Sequence, residues 1–185
     1  MTTRPITRAT FFAGMLGMGM LVAAPDAHAA RNADAETYVQ SNATAALRTL
    51  AETNVGSPQR RAQFDQLMTR FADMPRIASF VLGRYGAQLR SNATLRTEWT
   101  RTFQDYSIAV YEDRLGRFNG ATIRVTDSTE RVAGRDVIVN TELTPRGGGR
   151  AQLVQWRLLR SGDVWKVVDV SLLIEGNQIW LAQQQ

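Results

Sequence analysis

The chain has 185 residues, 44% apolar and 21% charged, with no cysteine and a single histidine, His28. That length supports one domain whose core needs no covalent staples, and the missing cysteines exclude a disulfide scaffold, a thiol nucleophile and a thiolate metal site. Its 22 basic residues against 17 acidic ones give a net charge of +5, and every basic residue except Lys166 is arginine.

Arg4 and Arg8 flank the start of an apolar stretch, Ala9 to Ala24, and Ala27-His28-Ala29 then fits a small-residue cleavage site. The pattern predicts a signal peptide over residues 1–29, with Ala30 as the first residue of an exported, periplasmic protein. An uncleaved anchor is the alternative, although the stretch is shorter than the roughly 20 residues that a spanning helix needs. Thr7 to Phe12 resembles half of a twin-arginine signal and lacks the second arginine, which points to the general secretory route. Without His28 the mature chain has no imidazole, which excludes Ser-His and Cys-His mechanisms and leaves mainly oxygen ligands for a metal. The high charge invites a nucleic-acid reading, but export and the absence of any basic run longer than Arg60-Arg61 argue against it. An anionic membrane surface or an ordinary soluble surface accommodates the same balance.

Ala33 to Thr53 places Tyr38, Ala45, Ala46, Leu47 and Leu50 at helical spacing, and Gly56-Ser57-Pro58 ends that segment. Ser57 before Pro58 reads as an N-cap with proline at the first helical position. The helix it opens carries Phe64, Leu67, Met68 and Phe71 on one face. Asp73 caps a short helix whose apolar side holds Ile77, Phe80 and Val81, ended by Gly83 or Gly86. Ser91 or Asn92 opens the longest helix, with Leu95, Trp99, Phe103, Tyr106 and Val110 recurring every three or four residues and Gly116 as terminator. From Ala121 the period changes to two. Ile123 and Val125 alternate with polar residues up to a turn near Ser128 to Glu130. Arg131 to Thr144 follows, with Val137, Val139, Thr141 and Leu143 on one face and a bulge or hairpin turn at Gly134-Arg135-Asp136. Pro145 to Gly149 is a turn, and Gln152 to Arg160 pairs with Val164 to Leu173 through Ser161-Gly162-Asp163. About four antiparallel strands result. Both faces of the last are largely apolar, which a sheet covered on one side would not require. Helices first and strands second make an α+β fold, helical over 33–116 and strand-rich over 121–174.

No catalytic constellation emerges. Gly147-Gly148-Gly149 lacks the strand, lysine and helix of a phosphate loop. Glu112 and Asp113 point to different sides of a helix, and Asp105 lies off the apolar stripe. Asp169 sits in an apolar strand, where a buried carboxylate needs a partner; Arg157 on the neighbouring strand is the candidate. An apolar interior remains, as either a filled core or a cavity suited to acyl chains, each buried methylene contributing about 0.8 kcal/mol.

Phe71-Ala72-Asp73-Met74-Pro75-Arg76-Ile77-Ala78 with Val81-Leu82-Gly83-Arg84-Tyr85 resembles the signature of the MlaC, or toluene-tolerance, family. Trp99, Phe103 and Tyr106 through Tyr111 resemble its next segment, and Trp165-Lys166-Val167-Val168-Asp169-Val170 with Glu175-Gly176 its late strand motif. The resemblance covers most of residues 35–181. It implies a curved antiparallel sheet of the nuclear-transport-factor-2-like type packed by helices, with a small helical subdomain, and a lipid-binding domain over 30–185. It implies a periplasmic, non-enzymatic carrier that holds phospholipid acyl tails in an apolar pocket, with no cofactor beyond that cargo. The partners it implies are an inner-membrane Mla-type ABC transporter complex and an outer-membrane lipoprotein complex, in a system that maintains outer-membrane lipid asymmetry. On this reading the pocket draws on Val81, Leu82, Phe103, Tyr106 and Val110 from helices, and on Trp156, Leu158, Val168 and Val170 from strands. Alternate residues share a face, so Val168 and Val170 form one pair, and Trp156 and Leu158 another. Gly83 permits a turn, Arg84 pairs with an acidic residue and Tyr85 packs. The family commonly continues past its Glu-Gly element into a further helix, whereas this chain ends at Gln185. A hopanoid or other hydrophobic-ligand carrier is an alternative. Others are an isomerase or hydrolase using Asp169 with Tyr106 or Tyr111, and an adaptor with a solid core.

Overall fold

Residues 30–52, 57–116, 118, 120–174 and 177–183 are described in a computed structural model. The expected signal segment and Glu175-Gly176 lie outside them, as do the side chains of Tyr111, Glu112 and Asp113. Among the described residues five helices precede five strands: α1 (Ala33–Glu52), α2 (Pro58–Phe71), α3 (Met74–Val81), α4 (Gly86–Arg90), α5 (Ala93–Gly116), β1 (Thr122–Val132), β2 (Asp136–Thr144), β3 (Gln152–Ser161), β4 (Val164–Ile174) and β5 (Asn177–Trp180). The strands form one antiparallel sheet in the order β1-β2-β3-β4-β5.

The helix starts follow from their caps. Ser57 Oγ accepts from the Arg60 backbone N–H at 3.2 Å, Asp73 Oδ1 from that of Arg76 at 3.1 Å, and Asn92 Oδ1 from that of Leu95 at 2.9 Å. Each such cap contributes about 1 kcal/mol. At the other end of α2 the last carbonyls find side-chain donors instead of a glycine cap. The Tyr38 hydroxyl donates to Arg70 O and Phe71 O, and Lys166 Nζ donates to Thr69 O and Arg70 O at 3.1 and 2.6 Å. The one lysine of the chain thus sits where a cation best complements the helix dipole.

The turn expected near Ser128 to Glu130 is not there. β1 runs through those residues, and the chain reverses at Ala133-Gly134-Arg135, where Gly134 adopts a φ of +63°. Polar residues in mid-strand have another purpose, which is to seat the start of α1. Ser128 Oγ accepts from the Asn32 N–H and donates to Glu36, while Glu130 accepts from the Asn32 side-chain amide and the Gly134 N–H. Further along, the Gln40 side chain donates to Ile123 O and accepts from the Val125 N–H, both at 2.9 Å. An amide on α1 thereby satisfies the open edge of β1.

Two other expectations are corrected. The sheet has five strands, because Asn177 to Trp180 pairs with Ser171 to Ile174. The apolar side of α3 does not include Phe80, which is 57% exposed; Met74 and Ala78 are its buried residues.

The main core lies where α1 and the end of α2 cross the sheet. Ala35, Val39, Phe71, Val137, Val139, Leu158, Trp165 and Val167 close tightly there. Three smaller clusters surround the other half: Leu50, Phe64 and Ile108 between helices, Met74, Ala78 and Phe103 between α3 and α5, and Ala121, Leu143 and Val154 at the far end of the sheet.

Candidate functional site: an apolar cavity between helices and sheet

Between those clusters the structure does not close. A cavity of about 840 Å³ opens there, toward the upper end of the roughly 300–1,000 Å³ usual for ligand pockets. Its roof is helical: Ala43, Ala46 and Leu47 of α1, Phe64, Met68 and Phe71 of α2, Ile77 and Val81 of α3, and Phe103 of α5. Its floor is the sheet, with Ile123, Leu143, Val154, Trp156 and Val170 among the contributors. Nearer its start α1 closes on the sheet through Ala35 and Val39 of the main core, whereas over the cavity it presents the small Ala43 and Ala46 beside Leu47 and Leu50.

Trp156 is held in the wall at both its polar and its apolar edge. Its Nε1–H donates to Thr141 Oγ1 at 2.9 Å, and that fully buried hydroxyl donates in turn to Val154 O. With the indole N–H satisfied, the ring stands against Phe71 at 5.4 Å between centroids, and Phe71 against Tyr38 at 5.6 Å. On the helical side, Trp99 Nε1–H donates to Ala78 O at 2.8 Å and its ring lies 5.8 Å from that of Phe103, which fixes α3 onto α5.

Two of the sequence blocks that carry the family resemblance, at 71–85 and 165–170, meet beside this cavity. Ala72 bridges to Val167, the Asp73 N–H donates to Val167 O at 2.9 Å, and Lys166 caps α2 just before Phe71. Between them they close the part of the β4 edge that β5 does not reach.

Of the residues expected in a pocket, Val81, Phe103, Trp156, Val168 and Val170 line the cavity. Leu82, Tyr106, Val110 and Leu158 do not. Leu158 is fully buried in the main core beside Val137 and Val167, and Tyr106 is 59% exposed on the outer side of α5. The face toward the interior on α5 is carried instead by Phe103, Ser107 and Ile108. Val168 and Val170 are not a simple alternate pair either. Arg157 faces Asp169 while the next residue, Leu158, faces Val167, so Val168 is an extra residue bulged out of β4. The bulge reverses the phase of the strand, and residues from 167 to 170 all reach the lining. Missed by the sequence reading were Ala43 and Ala46, whose small size at inward positions was the available signal, and the Phe64-Met68-Phe71 stripe, which it read only as one face of a helix.

Asp169 is the one charged residue among the described lining residues. Its expected partner, Arg157, is engaged elsewhere: the guanidinium donates to both carboxylate oxygens of Asp136, at 3.2 and 3.0 Å. Asp169 Oδ1 accepts instead from the backbone N–H groups of Val170 and Ala182. Burial pushes its pKa up, and those two N–H groups and the charge of Arg157 oppose that shift. Arg84 pairs with no acid among the described residues and lies over the Tyr85 ring at 5.2 Å, and Tyr85 is itself exposed. No group of three His, Cys, Asp or Glu residues is placed to hold a metal ion among the described residues, and none of their helices is long and apolar enough to cross a membrane.

The family model described as "MlaC protein" matches residues 39–185. Among solved structures, a phospholipid-binding protein from Ralstonia solanacearum, in complex with a phospholipid, superposes with a TM-score of 0.63 at 22% sequence identity. The match covers 81% of this chain and 82% of that one, and it shows a shared fold. No curated protein matches the chain by sequence.

Proposed function

This chain belongs to the MlaC family, and from that membership we propose that it is a phospholipid carrier, holding acyl chains in the cavity between its helices and its sheet. The observation that carries the proposal is the lining itself: about 840 Å³ walled by aliphatic and aromatic side chains. Acyl chains match such a wall, with about 0.8 kcal/mol for each methylene removed from water. The related fold of a protein that binds a phospholipid supports the same cargo class.

The finer reading is a periplasmic shuttle, exported after removal of residues 1–29. It exchanges phospholipid between an inner-membrane ABC transporter complex and an outer-membrane lipoprotein complex of the Mla type, and so maintains the lipid asymmetry of the outer membrane. We read it as a carrier rather than an enzyme. The one carboxylate among the described lining residues is held by backbone N–H groups, and Tyr106 faces away from the cavity. Val81, Phe103, Trp156, Val168 and Val170 are the proposed lipid contacts.

Native mass spectrometry of the purified protein, followed by lipid extraction, tests this directly. A bound phospholipid in stoichiometric amount is the expected result. A hopanoid or other neutral lipid in its place would redirect the assignment to another hydrophobic cargo. A mass free of lipid, unchanged after incubation with phospholipid vesicles, would overturn the carrier reading.

A further inference from the structure

The cavity has a recognisable mouth. Its deep residues, Leu50, Phe64 and Phe103, are buried, whereas Gln152 and Leu173 on the lining are exposed and Pro145 is half-buried. Gln152 and Leu173 are the two fully exposed members among the described lining residues, and with Pro145 they lie at one end of the sheet, where β2 ends, β3 begins and β4 ends. Residues 145 and 152 bracket the loop Arg146-Gly147-Gly148-Gly149-Arg150-Ala151. That loop has two cations and no acid. Gly147, Gly148 and Gly149 take φ values of +85°, +86° and +130°, which side-chain-bearing residues rarely adopt, so two exposed arginines flank a stretch with no side-chain bulk.

Neither arginine is paired with an acid among the described residues. Among the described residues the ion pairs join other groups, and Glu142, at the end of β2 next to the loop, is paired with Arg124 at 2.7 Å. Arg146 is placed by its stem: a Cβ on Gly120 would come within 2.7 Å of Arg146 Cδ. The stem therefore lies across the turn that carries the lining residue Phe118. Among the described lining residues the one charge is the carboxylate of Asp169. An anionic group attached to an apolar tail is repelled from within and met by two guanidinium groups at the entrance, where bidentate contacts suit a phosphate.

We propose that Arg146 and Arg150 bind the phosphate diester of the cargo lipid at the cavity mouth, while its acyl chains occupy the interior. The proposal rests on the phospholipid-carrier reading and adds the group that selects phospholipid over an uncharged lipid with the same tails.

The protein is incubated with vesicles containing equal amounts of phosphatidylglycerol and diacylglycerol of matched acyl chains, and bound lipid is quantified by native mass spectrometry. The wild type is expected to prefer phosphatidylglycerol, and Arg146→Gln with Arg150→Gln to weaken that preference about tenfold at unchanged total occupancy. The double lysine variant is expected to fall between the two, because charge is retained while the bidentate geometry is lost. Unchanged selectivity in the glutamine variant overturns the proposal while leaving the carrier reading intact. If the wild type takes up neither lipid, the carrier reading itself falls. Inorganic phosphate at millimolar concentration separates the two sources of the anion. The expected result is undiminished lipid selectivity; loss of selectivity in wild type, with phosphate bound to the loop in the absence of lipid, overturns the assignment to a headgroup.

Discussion

Single residues divide between those that close the fold and those that leave it open. Leu158 and Trp156 are two positions apart on one strand, yet Leu158 is sealed in the main core while Trp156 lines the cavity. Leu158→Ala is expected to lower stability by about 2–5 kcal/mol through the void it leaves, with lipid per folded protein unchanged. Urea denaturation beside lipid quantification checks both halves. Lys166 acts at a helix end. Lys166→Met removes two donors from the last carbonyls of α2 and is expected to cost about 1 kcal/mol, read as a lower urea midpoint with an unchanged slope. Asp169 has a pKa raised above its ordinary 3.8 by burial. Its ionised form therefore costs stability above the folded pKa, and the cost disappears as pH falls from that value to 3.8. Asn at this position still accepts the two backbone N–H bonds. Asp169→Asn should be at least as stable as wild type at pH 7, the difference vanishing below 3.8; a less stable variant at pH 7 would contradict this account.

At the scale of elements, the start of α1 and the middle of β1 form one polar clamp. Glu36 is held below its ordinary 4.5 by Arg31 and Ser128, and Glu130 by Asn32 and the Gly134 N–H. For these groups the sign is opposite to that of Asp169. Their contribution is complete above 4.5 and is lost as pH falls through the lowered folded values. Acid should therefore release α1 from β1 first, and Glu36→Gln should flatten the fall of the urea midpoint in that window. Amide exchange at Ala35 and Val125 would locate the loss. The same clamp explains a misread boundary. Ser128-Thr129-Glu130 has the composition of a turn, but its polar groups serve a helix 96 residues away in sequence. Local composition cannot reveal a partner brought in by the fold. The bulge at Val168 is a second case, since one extra residue inverts every later side chain on β4.

For the whole molecule the cavity is the deciding feature, because an open interior forgoes burial that ligand must supply. Bound phospholipid should stabilise the protein by about 2.7 kcal/mol at a free concentration one hundred times the Kd, seen as a rise in Tm over delipidated protein. Ala46→Phe projects a ring into the space. A filled core would lose about 1–3 kcal/mol to overpacking; here stability should hold while lipid occupancy falls.

The sequence alone determined the succession of helices and then strands, the caps at Ser57 and Asp73, the α+β class, and the family that the blocks at 71–85 and 165–170 resemble. These depend on residues near one another in the chain, where periodicity and capping act. Only the tertiary structure decided which face of α5 turns inward, that Asp169 is held by Ala182 rather than Arg157, and that the interior is a cavity rather than a core. Those outcomes depend on how side-chain volumes from distant segments add up between two layers. Composition gives the volumes, but whether Ala43 and Ala46 leave a gap depends on what the sheet places opposite them.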